Sequence, residues 1–370
     1  MERNLQHFGL QFPTVGESTR YVLTENKHWL SGFWTGLLWQ VYAVSGQACF
    51  KDHALKLLPS FRQRLDQQIH ITHDLGFLFT LSARPAWQLL GNADARELAV
   101  RGARELAARF RPAGKYIQAW GEIGSEDEGG RTIIDTMMNV HLLFWATAQT
   151  GEPHFASLAR QHSDVTARYL MREDGSSYHT FFFDQHTGEP LGPQTHQGYA
   201  DDSLWARGQA WAIYGFAAAD AWCDAAVYRD VAYRAALRFM AELPADGVPT
   251  WDLRLPDDAP SYPDTSAGAI AAAGMFRLAN RLTGEHQTTI RSHAETLLRT
   301  LIHTSFETLH DAQGLLRGGT YHAHKQQGVD AYFICGDYFF FEALLMHLGQ
   351  YVDFWGPESV KLRSDPATSV

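Results

Sequence analysis

Apolar residues recur at helical spacing in six stretches of this chain, at 32–44, 74–90, 132–149, 203–219, 266–282 and 337–348. Most are followed by a short break of small residues and then by a more polar helix. The breaks resemble one another: Ser45-Gly46-Gln47, Gly91-Asn92-Ala93, Thr150-Gly151-Glu152 and Thr283-Gly284-Glu285. Glycine suits the left-handed position just past a helix end. The helices after the breaks carry charge on one face, as from Arg96-Glu97 to Arg109 and from Arg291 to Arg299. The helices before them are nearly free of charge. A helix buried on both sides loses its polar face, whereas one facing water keeps it. The alternation therefore predicts an all-α fold of two concentric rings, an (α/α)6 barrel of six helical hairpins. The runner-up is an open helical solenoid.

Two regions break the helical period. The stretch 174–184, with Ser176-Ser177-Tyr178-His179-Thr180-Phe181-Phe182-Phe183, reads as a strand or a short β-hairpin insertion, and 248–255 as a brief extended piece. No linker divides the chain, so residues 1–370 are expected to form one catalytic domain, with a frayed tail after about 356.

Eleven Trp and fourteen Tyr exceed what a core needs. Flat rings cover the apolar faces of sugars, although most of these residues are expected to fill gaps between helices. A net charge of −10 with no basic tract argues against nucleic acid and anionic membrane as partners. It leaves room for a small anionic substrate, because one arginine can hold a carboxylate. Cys49, Cys223 and Cys335 are far apart and form no CxxC, so neither a disulfide framework nor a zinc site is indicated. No apolar run has signal-peptide or membrane-spanning character. A soluble, cytoplasmic protein is expected.

The most informative segment is Ile133-Ile134-Asp135-Thr136-Met137-Met138-Asn139, which sets one carboxylate in an apolar helix continuing through Leu142, Leu143, Phe144 and Trp145. Such a group is costly unless hydrogen-bonded or protonated. Asp135 is thus either a proton donor or a cap for a neighbouring helix. Other polar residues stand where inner helices begin: Trp29, His73-Asp74, Arg207 and Trp211, with Thr195-His196-Gln197-Gly198 just before the fourth. Each has an ordinary reading: Asp74 as a helix-start anion, His179 as a core histidine, Arg207 as an ion-pair partner. A barrel would gather all of them at one mouth.

The segments Trp29-Leu30-Ser31-Gly32-Phe33-Trp34, His73-Asp74-Leu75-Gly76-Phe77, Ile117-Gln118-Ala119-Trp120, Ile134-Asp135, Ser177-Tyr178-His179-Thr180-Phe181, Thr195-His196-Gln197-Gly198 and Trp205-Ala206-Arg207-Gly208-Gln209-Ala210-Trp211 occur in this order. Together they resemble the unsaturated glucuronyl hydrolases of glycoside hydrolase family 88, over roughly residues 5–351. That resemblance implies an (α/α)6 barrel that removes the 4-deoxy-4,5-unsaturated uronic acid left by polysaccharide lyases. The enol ether C4=C5–O5 is protonated at C4, water adds at C5, and the opened ring releases the glycosidic bond. By the same resemblance Asp135 is the general acid/base and Asp74 the second carboxylate. Trp29, Trp120, His179, Gln197, Arg207, Trp211 and Tyr321 contact the sugar. No metal or organic cofactor is implied. The loop Arg317-Gly318-Gly319-Thr320-Tyr321-His322-Ala323-His324-Lys325 is either the rim toward the leaving sugar or a solvated loop.

Three rivals stand beside this reading. A related unsaturated rhamnogalacturonyl hydrolase would use the same chemistry on pectin fragments. An inverting glycosidase would need its acid and base roughly 6.5–9.5 Å apart. A non-catalytic glycan-binding barrel would need neither aspartate. Parent polymer, sulfate preference and oligomeric state are not encoded in these motifs.

Overall fold

Six apolar helices form the inner ring of the computed structural model, which describes residues 1–17 and 19–357. They are Ser31–Ser45, Leu75–Leu81 continued by Ala83–Leu90, Thr136–Asn139 continued by His141–Thr150, Ala206–Cys223, Thr265–Ala279 and Ile334–His347. Ala48–Asp66, Ala93–Ala108, Pro153–Tyr169, Ala226–Ala241 and Gly284–Thr304 are the polar partners outside. The expected α/α barrel is what the chain builds. From Ala206 to Asp220 every residue of the fourth inner helix is buried, and so is every residue of Thr265–Ala279. Burial on all sides is why these segments read as uniformly apolar.

The glycine breaks behave as expected at Gly46, Gly91 and Gly151, which end helices in left-handed conformations with φ of 71°, 66° and 75°. The fourth break differs. The inner helix stops at Ala279, and Gly284 opens the next helix. The sixth hairpin also departs from expectation. No outer helix follows Ile334–His347 among the described residues. The short helix Glu2–Phe8 lies against Ala48–Asp66 instead, and Asn4 donates to the Gln313 carbonyl at 2.8 Å. The segment 351–356 turns in under the barrel. There Trp355 is fully buried against Phe339, and Asp353 takes both ends of the Arg277 guanidinium at 2.7 and 2.8 Å. The expected frayed tail falls on residues 358–370, outside the described residues.

The aromatic insertion is a strand, Thr180–Phe183, in the middle of a three-stranded antiparallel sheet. Its neighbours are Pro190–Gln194 and Arg131–Ile133, and the latter leads straight into Asp135. The piece at 248–255 forms isolated bridges, Trp205 with Asp252 and Thr250 with Pro263, rather than a strand. A hairpin, Phe12–Glu17 with Arg20–Thr24, had no clear signature in the sequence.

Candidate active site

Gly76 decides how near the two aspartates come. A Cβ there would lie 2.2 Å from the Asn139 Cα, so only glycine lets the second and third inner helices start side by side. Asp74 and Asp135 stand directly before these two starts. The sheet fixes Asp135 from the other side, since the Ile134 N–H donates to the His179 carbonyl at 3.0 Å.

A cavity of about 230 Å³ opens over them, walled by Trp29, His73, Asp74, Trp120, Asp135, His196, Gln197, Tyr321, His322 and Lys325, with Ile133 and Gln327. Six of the nine residues expected in the site line it: Trp29, Asp74, Trp120, Asp135, Gln197 and Tyr321. His179, Arg207 and Trp211 are buried behind that wall.

Asp135 is 8% exposed, and its carboxyl pKa is pushed up to about 7. Burial is the largest cause, and the Asp74 charge adds to it. The Arg207 charge and the Trp211 indole N–H pull the other way. That indole stands too far or too bent for an ordinary bond: neither Asp135 Oδ1 nor Trp211 Nε1 has a hydrogen-bond partner. A buried polar atom without a partner is rare enough to need a reason, and an open cavity beside it is one.

Asp74 is held tightly. Thr72 Oγ1 donates to its Oδ2 at 2.9 Å, and His73 Nε2 stands 3.4 Å from its Oδ1. The His73 proton can be assigned. The Phe77 N–H donates to Asn139 Oδ1 at 2.7 Å, so the Asn139 NH₂ faces His73 Nδ1 at 3.4 Å. Nδ1 therefore accepts, and Nε2 carries the hydrogen toward Asp74. Burial keeps His73 neutral by lowering its pKa.

His179 follows the same logic. Its Nδ1 accepts from the His196 and Gln197 backbone N–H groups, each at 3.1 Å, so its hydrogen sits on Nε2, which has no partner. Gln197 donates through Nε2 to the Tyr321 carbonyl at 2.7 Å. Arg207 gives Nη1 to Asp264 Oδ2 at 2.6 Å and to the Thr320 carbonyl at 2.8 Å, and Nη2 to the Tyr321 carbonyl at 2.8 Å. This arginine was expected to face substrate, and most of its donors instead anchor the Tyr321 loop. Its Nε and one Nη2 hydrogen take no partner among the described residues.

Several cavity residues were named in the sequence but not assigned to the site, His322 among them as part of a loop that was either rim or solvated. His322 lines the wall with both ring nitrogens unpartnered, and burial lowers its pKa to about 4. The His196 ring packs 5.0 Å from Trp120 and 5.3 Å from His322. His196 sits next to Gln197 in a recognisable motif, and that adjacency was the available signal.

The family model for Glycosyl Hydrolase Family 88 matches residues 6–339. The chain belongs to glycosyl hydrolase family 88. It is 41% identical over 350 residues to the unsaturated glucuronyl hydrolase of Bacillus sp. (strain GL1), covering 93% of this chain and 92% of that one. It is 37% identical over 357 residues to the unsaturated chondroitin disaccharide hydrolase of Streptococcus pyogenes serotype M1, covering 95% and 89%. The crystal structure of the Bacillus sp. GL1 unsaturated glucuronyl hydrolase, responsible for the degradation of glycosaminoglycan, superposes with a TM-score of 0.94 at 40% identity, covering 97% of this chain and 96% of that one. This family member is a glycoside hydrolase with an α/α-barrel fold.

Proposed function

We propose that the chain, a hydrolase that takes unsaturated uronic acid from oligosaccharides, works by hydrating the C4=C5 bond with Asp135 as its one general acid/base. The observation that carries this is a buried carboxyl, held protonated up to about neutral pH, with an unpartnered oxygen beside a cavity flanked by two tryptophans. Asp135 gives its proton to C4, and positive charge spreads over C5 and O5. Water adds at C5 and returns a proton to Asp135. The hemiketal opens to a C5 ketone, leaving a hemiacetal at C1 that expels the saturated sugar. A single group positioned to give and then take a proton contributes about 10²–10⁴-fold.

The surrounding residues fit supporting roles. Trp29 and Trp120 flank the ring. Gln197 Oε1 is left to accept from a hydroxyl, and the His179 Nε2–H is left to donate. Arg207 offers its free Nε edge to the uronate carboxylate, with Asp264 holding the other edge. Trp211 supplies an unused N–H behind Asp135. The rim of His196, His322 and Lys325 receives the leaving sugar. Both histidines have lowered pKa values, so Lys325 is the cation there. The substrate is a small oligosaccharide, and neither nucleic acid nor membrane is a partner in this reading. No helix among the described residues is long and apolar enough to cross a membrane. Three free thiols suit a reducing compartment, and we place the enzyme in the cytoplasm.

Turnover in ¹⁸O-labelled water tests the route. Rapid reduction of the product should trap label at C5 of the uronate-derived ketone. Label confined to its C1 would mean attack at the anomeric carbon, as in an inverting glycosidase.

A further inference from the structure

Two arginines that read as part of a charged outer face are buried. Arg64 lies in the last turn of Ala48–Asp66, and Arg109 stands just past the end of Ala93–Ala108. They are 1% and 2% exposed. Each spends its donors on neutral oxygens. Arg64 Nη1 donates to Asn26 Oδ1 and the His28 carbonyl, both at 3.1 Å, and Nη2 to the His70 carbonyl at 3.1 Å. Arg109 donates through Nε to the Gln118 carbonyl at 2.9 Å and through Nη1 to Ile71 at 2.6 Å. Its Nη2 serves Trp120 at 2.9 Å and Gly121 at 3.1 Å.

The carbonyls they gather belong to three loops of the cavity mouth. One carries His28 and Trp29, the second runs through Ile71 to Asp74, and the third carries Trp120. Arg64 ties the first to the second, and Arg109 ties the second to the third. A buried cation bonded only to neutral groups is expensive. Burial lowers both guanidinium pKa values to about 10, and the one anion opposing that fall is Asp74. A position past a helix C-terminus also suits a cation, and that alone would explain a structural role.

We propose that Arg64 and Arg109 are positioning residues, which fasten the loops carrying Trp29, Asp74 and Trp120 and supply the positive field in which the Asp74 carboxylate works. This rests on the reading of Asp135 as the acid, with Asp74 as the neighbouring anion that helps it keep its proton. The other groups facing Asp74 are His28, His73, Tyr321 and Asp135. Both histidines have lowered pKa values and are neutral near pH 7, so the two arginines are the cations acting on it.

The test is kcat and KM, measured separately, with melting temperature, for Arg64→Met, Arg64→Lys, Arg109→Met and Arg109→Lys, beside Asp74→Asn. The Met variants lose both the charge and the fork that fastens the loops, so their KM should rise by on the order of tenfold while kcat moves less, in proteins that melt near the wild-type temperature. The Lys variants keep the charge and lose the fork. Their kcat/KM should fall several-fold, less than in the Met variants. A folded Met variant with wild-type KM overturns the proposal. Where a Met variant does not fold, its Lys variant decides, and wild-type kcat/KM in that protein overturns it. Full activity in Asp74→Asn would instead refute the role of Asp74, which separates the two failures.

Discussion

The barrel holds a buried carboxyl at each end, and the two differ in their partners. Asp135 at the mouth and Glu342 at the base are both pushed up to about 7, with burial the largest cause. Glu342 is fully satisfied. It accepts from Tyr214 Oη at 2.5 Å, Tyr338 Oη at 2.6 Å and Trp355 Nε1 at 3.2 Å, beneath the segment 351–356. Asp135 has an oxygen with no partner and a cavity beside it. A raised pKa therefore does not mark a catalytic acid by itself. Desolvation produces it at both ends, and the missing partner beside an open cavity separates the reactive group from the structural one.

The sharpest way to break this comparison is to remove the charge at each end. Asp135→Asn should cut turnover by at least about 10²–10⁴-fold, read as bleaching of the ultraviolet absorbance of the conjugated unsaturated uronate. Glu342→Gln should stay within a few-fold of wild type. Stability should move oppositely. A carboxyl whose folded pKa is raised gives its full stability below the unfolded value near 4 and loses it as pH rises through about 7. Asp135→Asn escapes that loss, so its melting temperature should exceed wild type by a margin that grows from pH 5 to pH 8. Glu342→Gln sets an amide NH₂ against a phenol O–H that needs an acceptor, a mismatch costing about 1–3 kcal/mol. Equal activity losses in the two variants would collapse the distinction.

The pH profile comes next in size. With Asp135 as the proposed acid, kcat/KM should fall on the alkaline side through about pH 7. Asp74 is the second cause of that raised value. In Asp74→Asn the residual activity should therefore lose its alkaline limb at lower pH than wild type. A limb that stays put would mean that Asp74 does not act on Asp135 through charge.

Much of the mouth was legible in the sequence, while the base was not. The inner helices announced themselves because burial on both sides had removed their polar residues, and Gly46, Gly91 and Gly151 punctuated them. Asp135 was visible because a lone charge stands out in such an apolar run, although it sits in the turn just before the helix and not one turn inside it, because 131–133 pairs as a strand. The base depends on residues far apart in the chain. Arg277, Gln40 and Gln88 reach Asp353, Val352 and Asp353 in a segment to which the sequence reading gave no element. Arg64 and Arg109 were hidden for the opposite reason: an arginine on a polar outer helix looks solvated until the loops that fold over it are known. For His322 the sequence left rim and solvated loop both open, because nothing local shows both its nitrogens facing a cavity wall.

The smallest expected effect concerns Arg207 and joins the two ends of this argument. Its anchored edge, on Asp264 and two carbonyls, is structural like the base. Its free edge is the half proposed to meet the substrate carboxylate. The Arg207 charge holds the Asp135 pKa down, so a substrate carboxylate on that edge would offset it and help Asp135 keep its proton when substrate binds. Two consequences follow from the free edge. The alkaline limb of kcat should lie at higher pH for the unsaturated uronate than for its methyl ester, which carries no charge to offset. Arg207→Lys keeps the charge but not the planar fork. Its kcat/KM should drop for the acid by roughly 10-fold or more, in line with about 1.5–3 kcal/mol for a charge-assisted bond, and less for the ester. Equal losses on acid and ester, with a lowered melting temperature, would leave Arg207 as an anchor alone and give the carboxylate to other donors of the cavity.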